Sequence, residues 1–451
     1  MNKNQEIDFI SRTLAELINL AKSNILFPFV LLYILSLGLS LEINNFFFIS
    51  LVFATIIKTN YFKFSYQFLP MQLFFIWIAL SYFWSIDQPK TLQSLSREIH
   101  FFALPLIFYF QGDFFKKVSD IILKYFSFSI FILSFYFIAR AVFRFFSIND
   151  NRVFFFHGEY GNDFGLVPKE LNAIHFSVFV ALAYFYFLQK EKKSRFEIFI
   201  LFFLLIAILL LSSSIVILSL VFLTLSYYFF FSKLANKMRL RNIVLFTIAI
   251  ACLSFYNKIA TLLENEIKTN TEQTIGHNVI NSIPNLQNKI TIYEAWTKEQ
   301  FTPNDFFPGT AFRVYQLRVF FEIISEQEVF FSGLGFNASQ TKIQDKGIEY
   351  NIFLGNELYE GYQMKNFHNQ YIQVFAELGI VGFLLLILIL LINIRNAFLS
   401  KDFLHIAFAI LMISLFLTES FLWRQRGVAF FVIFYCLFNY KTTQNYIKSK
   451  K

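Results

Sequence analysis

Twelve apolar runs separated by short charged clusters limit this chain more than any other feature: 25–40, 45–57, 66–84, 98–111, 120–146, 171–188, 196–211, 214–231, 242–256, 370–393, 403–421 and 427–440. About 20 apolar residues in a helix cross a bilayer, and only helices or closed barrels satisfy their own backbone there. The runs predict an all-α integral membrane protein with about twelve transmembrane helices. Of the 451 residues, 56% are hydrophobic and only 15% charged, too few to give every helix a solvated face. The 67 Phe suit a lipid-facing surface. The net charge of +9 does not call for nucleic acid, because most of the Lys and Arg fall between the runs. Cys252 and Cys436 lie inside apolar runs, so neither a disulfide nor a thiolate metal site is expected. The polar first 23 residues show no cleavable signal peptide.

Basic residues recur at every second connection: Lys58 and Lys63; Lys116 and Lys117; Lys190, Lys192, Lys193 and Arg195; Lys233, Lys237, Arg239 and Arg241; Arg395 and Lys401; then Lys441, Lys448, Lys450 and Lys451. Loops rich in Lys and Arg stay on the cytoplasmic side. The alternation predicts two cytoplasmic termini and puts residues 257–367 on the outer face. Five segments follow: a cytoplasmic N-terminal segment (1–24), an N-terminal bundle (25–256), a large periplasmic loop (257–367), C-terminal helices (368–440) and a basic cytoplasmic tail (441–451). A loop of about 110 residues is functional more often than connecting. Its second half contains "RVYQLRVFFEII", in which Leu317, Phe320, Phe321 and Ile324 follow helical spacing and predict the buried face. A smaller outer loop, 147–170, carries Arg152, His157, Glu159, Asp163 and Lys169.

Chemistry-bearing residues collect at the outer ends of the runs. His368 stands where the large loop meets the run 370–393, and Glu377 follows nine residues later, roughly 13 Å deeper along an ideal helix. His368 is either an interfacial histidine or a base. Glu377 is either a protonated acid bonded between helices, a partner for an arginine, or a functional intramembrane acid; its depth favours a supporting role. Gly379 and Gly382 let a neighbour approach closely. Arg313 and Arg318 lie in the large loop, Arg140 and Arg144 near the end of the fifth run, and Arg424 and Arg426 just after Glu419. Arg318 has Glu322 four residues on as a local partner, Arg140 is placed to snorkel, and Arg424 or Arg426 to neutralise Glu419. Guanidinium groups on the outer side run against the charge bias, and their forks match phosphate oxygens.

"HNQYIQVFAELGIVG" resembles the signature of the O-antigen ligase and polymerase superfamily: His368, Asn369, an aromatic, then Glu377-x-Gly379 before an apolar run. "FRVYQLRVFFEIISEQEVFFSGLGFN", "ALSYFWSIDQPKTLQSLSREIHFFALPLIF", "KELNAIHFSVFVALAYF" and "LTESFLWRQRGVAFFVIF" resemble further family segments, in the family's order across residues 65–440. Three positions depart from it. "LLLSSSIVIL" replaces the usual Ser-Arg-Gly turn, Leu317 stands where an aromatic is common, and the proline usual before Gly333 is absent.

The resemblance implies a GT-C-like membrane glycosyltransferase that needs no metal or other cofactor. Its donor is a glycan on undecaprenyl pyrophosphate and its acceptor a hydroxyl on lipid A-core or another glycan. His368 is implied as the catalytic group; Arg313, Arg318, Arg140, Arg144 and Arg424 as pyrophosphate ligands; and Glu377, Gly379 and Asn369 as supporting residues. Ligase activity is the expectation, weakly favoured over repeat-unit polymerase by one large loop ahead of the last three runs. A polysaccharide transporter or flippase is the rival from another class, but the sequence shows no inverted repeat.

Overall fold

The computed structural model describes residues 15, 17–58, 61–155, 165–168, 170–255, 288–326, 328–355 and 361–449. His157, Glu159, Asp163, Lys169 and the polar half of the large loop, 257–287, lie outside the described residues. The described chain is mostly helical, and its strands are the two-residue β1 (Asn288–Lys289) and β2 (Asp305–Phe306), paired in parallel. Three stretches are long and apolar enough to cross a membrane: Gln88–Ile148, Ser214–Phe231 and Gln370–Ser400. Shorter apolar helices accompany them, among them Leu26–Gly38, Leu41–Ile57 and Ala173–Leu188. The chain is a multi-pass membrane protein.

Helices α1 (Leu26–Leu35) and α2 (Leu41–Ile57) form a hairpin tied by buried Asn44, whose amide donates to the Tyr33 carbonyl (3.1 Å) and Ser36 Oγ (2.8 Å). The opposite face of α2 exposes Phe46, Ile49, Phe53 and Ile56, spaced by three or four residues. An exposed stripe this apolar at helical spacing suits lipid rather than water. Next come α3 (Leu69–Leu80) and the polar α4 (Gln88–Glu98), which starts at Asp87, whose carboxylate accepts the Lys90 amide (3.3 Å).

The runs 98–111 and 120–146 belong to one helical element, α5 (His100–Ile148, 49 residues). A straight helix would hold Phe101 and Phe126 about 37 Å apart. Yet Phe101 lies 6.5 Å from Phe431 and Phe126 lies 6.2 Å from Phe430. The path of α5 therefore reverses, giving two antiparallel limbs that match the two runs. The turn falls near Asp113 and Asp120, which meet Tyr440 (3.2 Å) and Lys441 (3.0 Å) respectively. Gly112 admits this contact, since a Cβ there would fall 2.0 Å from the Tyr440 ring.

After α5 come α6 (Ala173–Leu188), α7 (Arg195–Leu210), α8 (Ser214–Ser226) and α9 (Asn236–Phe255). The large loop contributes α10 (Ile292–Thr297), α11 (Gly309–Glu326) and α12 (Ser339–Glu349); α13 (Gln370–Ser400), α14 (Phe403–Phe416) and α15 (Gln425–Ser449) complete the chain. From Val428 to Phe438 every residue of α15 is at most 3% exposed. A helix apolar on all sides is a core helix, and α15 is the axis on which α5 and α13 pack. The ion pairs of Lys63 with Asp113 and of Lys441 with Asp120 and Asp402 bring three basic connections to one end of the bundle.

The described part of the large loop has its own core, built from residues such as Phe301, Phe307, Tyr315, Val319, Ile323 and Tyr362. On α11 the buried face is Phe312, Tyr315, Gln316, Val319, Phe320 and Ile323. This corrects the expected face by about one position: Phe321 is 53% exposed, and Leu317 and Ile324 are only partly covered. Both faces obey helical spacing, and the aromatics contributed by 301, 307 and 362 decide between them.

α13 is not one straight helix. Gly379 has φ +64° and ψ −167°, a conformation open to glycine and strained for other residues. The backbone groups released at the break are taken up by the glycine-rich loop before α12: Leu334 N donates to Ala376 O (2.9 Å), Gly335 N to Glu377 O (2.9 Å), and Ile380 N to Phe330 O (2.8 Å). Trp77 Nε1 donates to Leu378 O (2.9 Å), and Trp84 Nε1 to Ser332 O (2.9 Å). A helix break within a membrane protein persists where protein satisfies the freed groups. Glycine is required because a Cβ on Gly379 would sit 2.3 Å from the Phe331 carbonyl.

Candidate active site

His368 closes the loop just before α13. Asn369 caps that helix, its Oδ1 accepting the amides of Tyr371 (3.0 Å) and Ile372 (3.1 Å). The Asn369 Nδ2 donates to the Leu417 carbonyl (3.1 Å), while Gln370 Oε1 accepts the Leu422 amide (2.7 Å). These bonds fasten residues 369–370 to the 417–422 turn between α14 and α15. His368 itself has φ +45°, uncommon for a residue with a side chain, and its amide donates to Asn366 Oδ1 (3.0 Å).

The fastening brings His368 Nδ1 to 3.6 Å from Glu419 Oε2, with the histidine side chain 31% exposed and the carboxylate 9%. Burial pushes the Glu419 carboxyl up, but the contact with His368 and the charge of Arg424 outweigh it and hold the group below the usual carboxylate range. α11 supplies the other wall. Phe312 stands edge-on to the His368 ring at 6.5 Å, and Gln316 Nε2 donates to the Asn366 carbonyl. Arg313 interacts electrostatically with Glu419. Its buried Nε has no hydrogen-bond partner among the described residues, and burial holds its pKa below the usual arginine value. A buried guanidinium nitrogen without an acceptor is an open position for an anion.

Beyond Glu419 lies a cavity of about 280 Å³ lined by Leu41, Arg97, Glu170, Leu171, His175, Trp423, Arg424, Gln425 and Arg426. Arg97, on the last turn of α4, lies over the Trp423 ring at 5.8 Å, and its Nε and one Nη are buried without a hydrogen-bond partner among the described residues. Arg426 donates to the carbonyls of Leu37 (3.1 Å) and Leu39, so part of its fork is engaged. Arg424 is exposed at the rim. His175 enters from the first turn of α6, which Asn172 caps, and stacks on Phe421 at 4.3 Å.

The other arginines singled out in the sequence have different surroundings. Arg318 is used up within the loop lobe: Nε donates to Glu322 (2.9 Å), one Nη to the Lys298 carbonyl (2.7 Å) and the other to Tyr350 Oη (2.8 Å). Arg140 and Arg144 donate to the backbone at Gly165 and Leu166. Glu377 is buried inside the protein, accepting from Ser339 Oγ (2.8 Å) and Gln373 Nε2 (2.5 Å). Two of the central groups were not reachable by pattern. Arg97 sits in the polar stretch 88–98, where no spacing or motif singles it out. Glu419 was visible, but its neighbours in sequence are Arg424 and Arg426, whereas the partner in space is His368.

No curated protein matches this chain. Arg313, His368, Glu377 and Gly379 lie within the region that matches a known family; Arg97, Glu419 and Arg424 lie outside it. Residues 198–387 match the family model described as O-antigen ligase, the family that the motifs around Arg313 and His368 resemble.

Proposed function

We propose that the protein is an O-antigen ligase-type glycosyltransferase, moving a glycan from undecaprenyl pyrophosphate to a hydroxyl of lipid A-core at the periplasmic face of the inner membrane. The observation that carries this reading is the contact of a partly exposed histidine, His368, with Glu419, which interacts with Arg424 at a cavity lined also by Arg97 and Arg426. The acceptor hydroxyl gives its proton to His368 while its oxygen bonds to the anomeric carbon. The bond from that carbon to the pyrophosphate oxygen breaks, and the oxygen departs with the electron pair. Direct displacement inverts the anomeric centre. Charge builds on the leaving pyrophosphate, and Arg97, Arg424 and Arg313, with the free part of Arg426, would stabilise it without a metal. Glu377 and Gly379 support the broken helix beneath His368.

The membrane orientation belongs to the same proposal. Alternating basic clusters support cytoplasmic termini and an external position for residues 257–367. A topology reporter fused near Asn285 is expected to be active in its periplasmic form only. The lipopolysaccharide banding pattern of a deletion strain tests the reaction itself. Ligase loss leaves polymer on its lipid carrier and off the core. Polymerase loss leaves single repeats attached to the core, and that result would replace ligation by polymerisation.

A further inference from the structure

We propose that Glu419 is the positioning residue for His368: its carboxylate holds the imidazole with the proton on Nδ1, leaving Nε2 as the base that faces the acceptor hydroxyl. The inference rests on His368 being the base of the proposed transfer. The 3.6 Å separation lies just beyond hydrogen-bond length, and contacts of this kind tighten when substrate binds. Both partners are already fixed. Asn369 and Gln370 bind the Leu417 carbonyl and the Leu422 amide on either side of Glu419, and Tyr371 Oη donates to the Ile413 carbonyl (3.1 Å).

The simpler reading makes Glu419 a counter-ion for the nearby arginines. The contacts do not favour it. Arg426 turns to the carbonyls of Leu37 and Leu39, and among the described residues His368 alone lies within ion-pair distance of Glu419. Charged and titratable groups facing Glu419 from the packed elements are His368, His175 on α6, Arg424 at the start of α15 and Arg313 on α11. A carboxylate against one ring nitrogen selects the tautomer, because the other nitrogen is then the one without a proton. It also favours the imidazolium formed when Nε2 takes the acceptor proton. That proton then leaves through the exposed edge of the ring.

Glu419→Gln keeps the shape and removes the charge. Expected is a fall in kcat of about 10- to 100-fold, a KM for the lipid-linked donor within about twofold of wild type, and an acid limb of the pH profile moved to lower pH. Glu419→Asp is expected to recover part of kcat. Loss of kcat without movement of the acid limb would make Glu419 merely structural, and unchanged kcat would remove its role altogether; both overturn the proposal. A measurement on the wild-type protein covers the case in which the variants do not fold. Nitrogen NMR of histidine-labelled protein, with His368 assigned by its loss in His368→Ala, is expected to show the Nδ1–H tautomer. The Nε2–H tautomer would overturn the proposal. Absence of glycan transfer by wild type would instead overturn the transferase reading, and the tautomer would still be readable.

Discussion

Gly335 donates its amide to the carbonyl of Glu377 across 2.9 Å, joining the glycine-rich loop to the break in α13. Neighbouring bonds from Leu334 to Ala376 and from Ile380 to Phe330 make the contact a short backbone ladder. The ladder holds the 370–378 segment at the angle that carries His368 to Glu419.

Gly379→Ala should break this arrangement. The φ and ψ of Gly379 cost a non-glycine residue about 1–3 kcal/mol, before the clash with the Phe331 carbonyl is counted. Expected are a lower melting temperature in detergent and loss of transfer. A Gly379→Ala protein with wild-type melting and activity would show that the break is dispensable.

Arg97→Lys keeps a positive charge but loses the planar fork that matches phosphate oxygens. Expected is a rise in donor KM on the order of 10-fold, with a larger rise for Arg97→Ala, since hydrogen bonds to charged groups are worth about 1.5–3 kcal/mol. Donor titration with purified protein reads both. Donor binding unchanged in Arg97→Ala would remove the cavity from the donor site.

Arg313 and Arg318 should separate cleanly. Arg318→Ala removes the donor to the Lys298 carbonyl and breaks the ion pair with Glu322, which keeps only Tyr350 Oη and Lys346 as partners among the described residues, and hydrogen bonds to charged groups are worth about 1.5–3 kcal/mol. It should lower the melting temperature. Arg313→Ala removes a guanidinium whose buried Nε has no hydrogen-bond partner among the described residues, so it should spare stability and reduce transfer. The reverse pattern in parallel melting and activity assays would exchange their roles.

Much of the fold was legible because apolar runs mark helices, and α5 shows the limit of that signal. Its two runs became two limbs, yet no sequence feature announced that the charged stretch between them stays helical. The face of α11 was read one position off because the deciding partners, Phe301, Phe307 and Tyr362, are distant in sequence. Gly379 was seen as a place of close approach, and Glu377 as a group deep in a helix. The break corrects the straight-helix picture and places Glu377 against Ser339 and Gln373. His368 and Arg313 came from motif position. Arg97 and the pairing of His368 with Glu419 needed three-dimensional placement, because each joins segments dozens to hundreds of residues apart.

The Glu419 contact also predicts an acid limit to stability. A carboxyl held below its ordinary value stabilises the fold above the unfolded pKa, and the contribution is lost as pH falls through the lower folded value. The melting difference between wild type and Glu419→Gln should therefore close as pH falls below the ordinary glutamate value of about 4.3 and on through the lower folded value of Glu419. A difference unchanged down to pH of about 2 would show that the carboxylate charge contributes nothing there.

The most direct test of the central claim is the release of undecaprenyl pyrophosphate by purified protein given lipid-linked glycan and core acceptor, with chelator present. Wild type should release the carrier in step with glycan transfer. His368→Ala should do so about 10²- to 10⁴-fold more slowly while remaining folded and still binding donor. Full activity in His368→Ala, or a strict requirement for a divalent metal in wild type, would contradict the account.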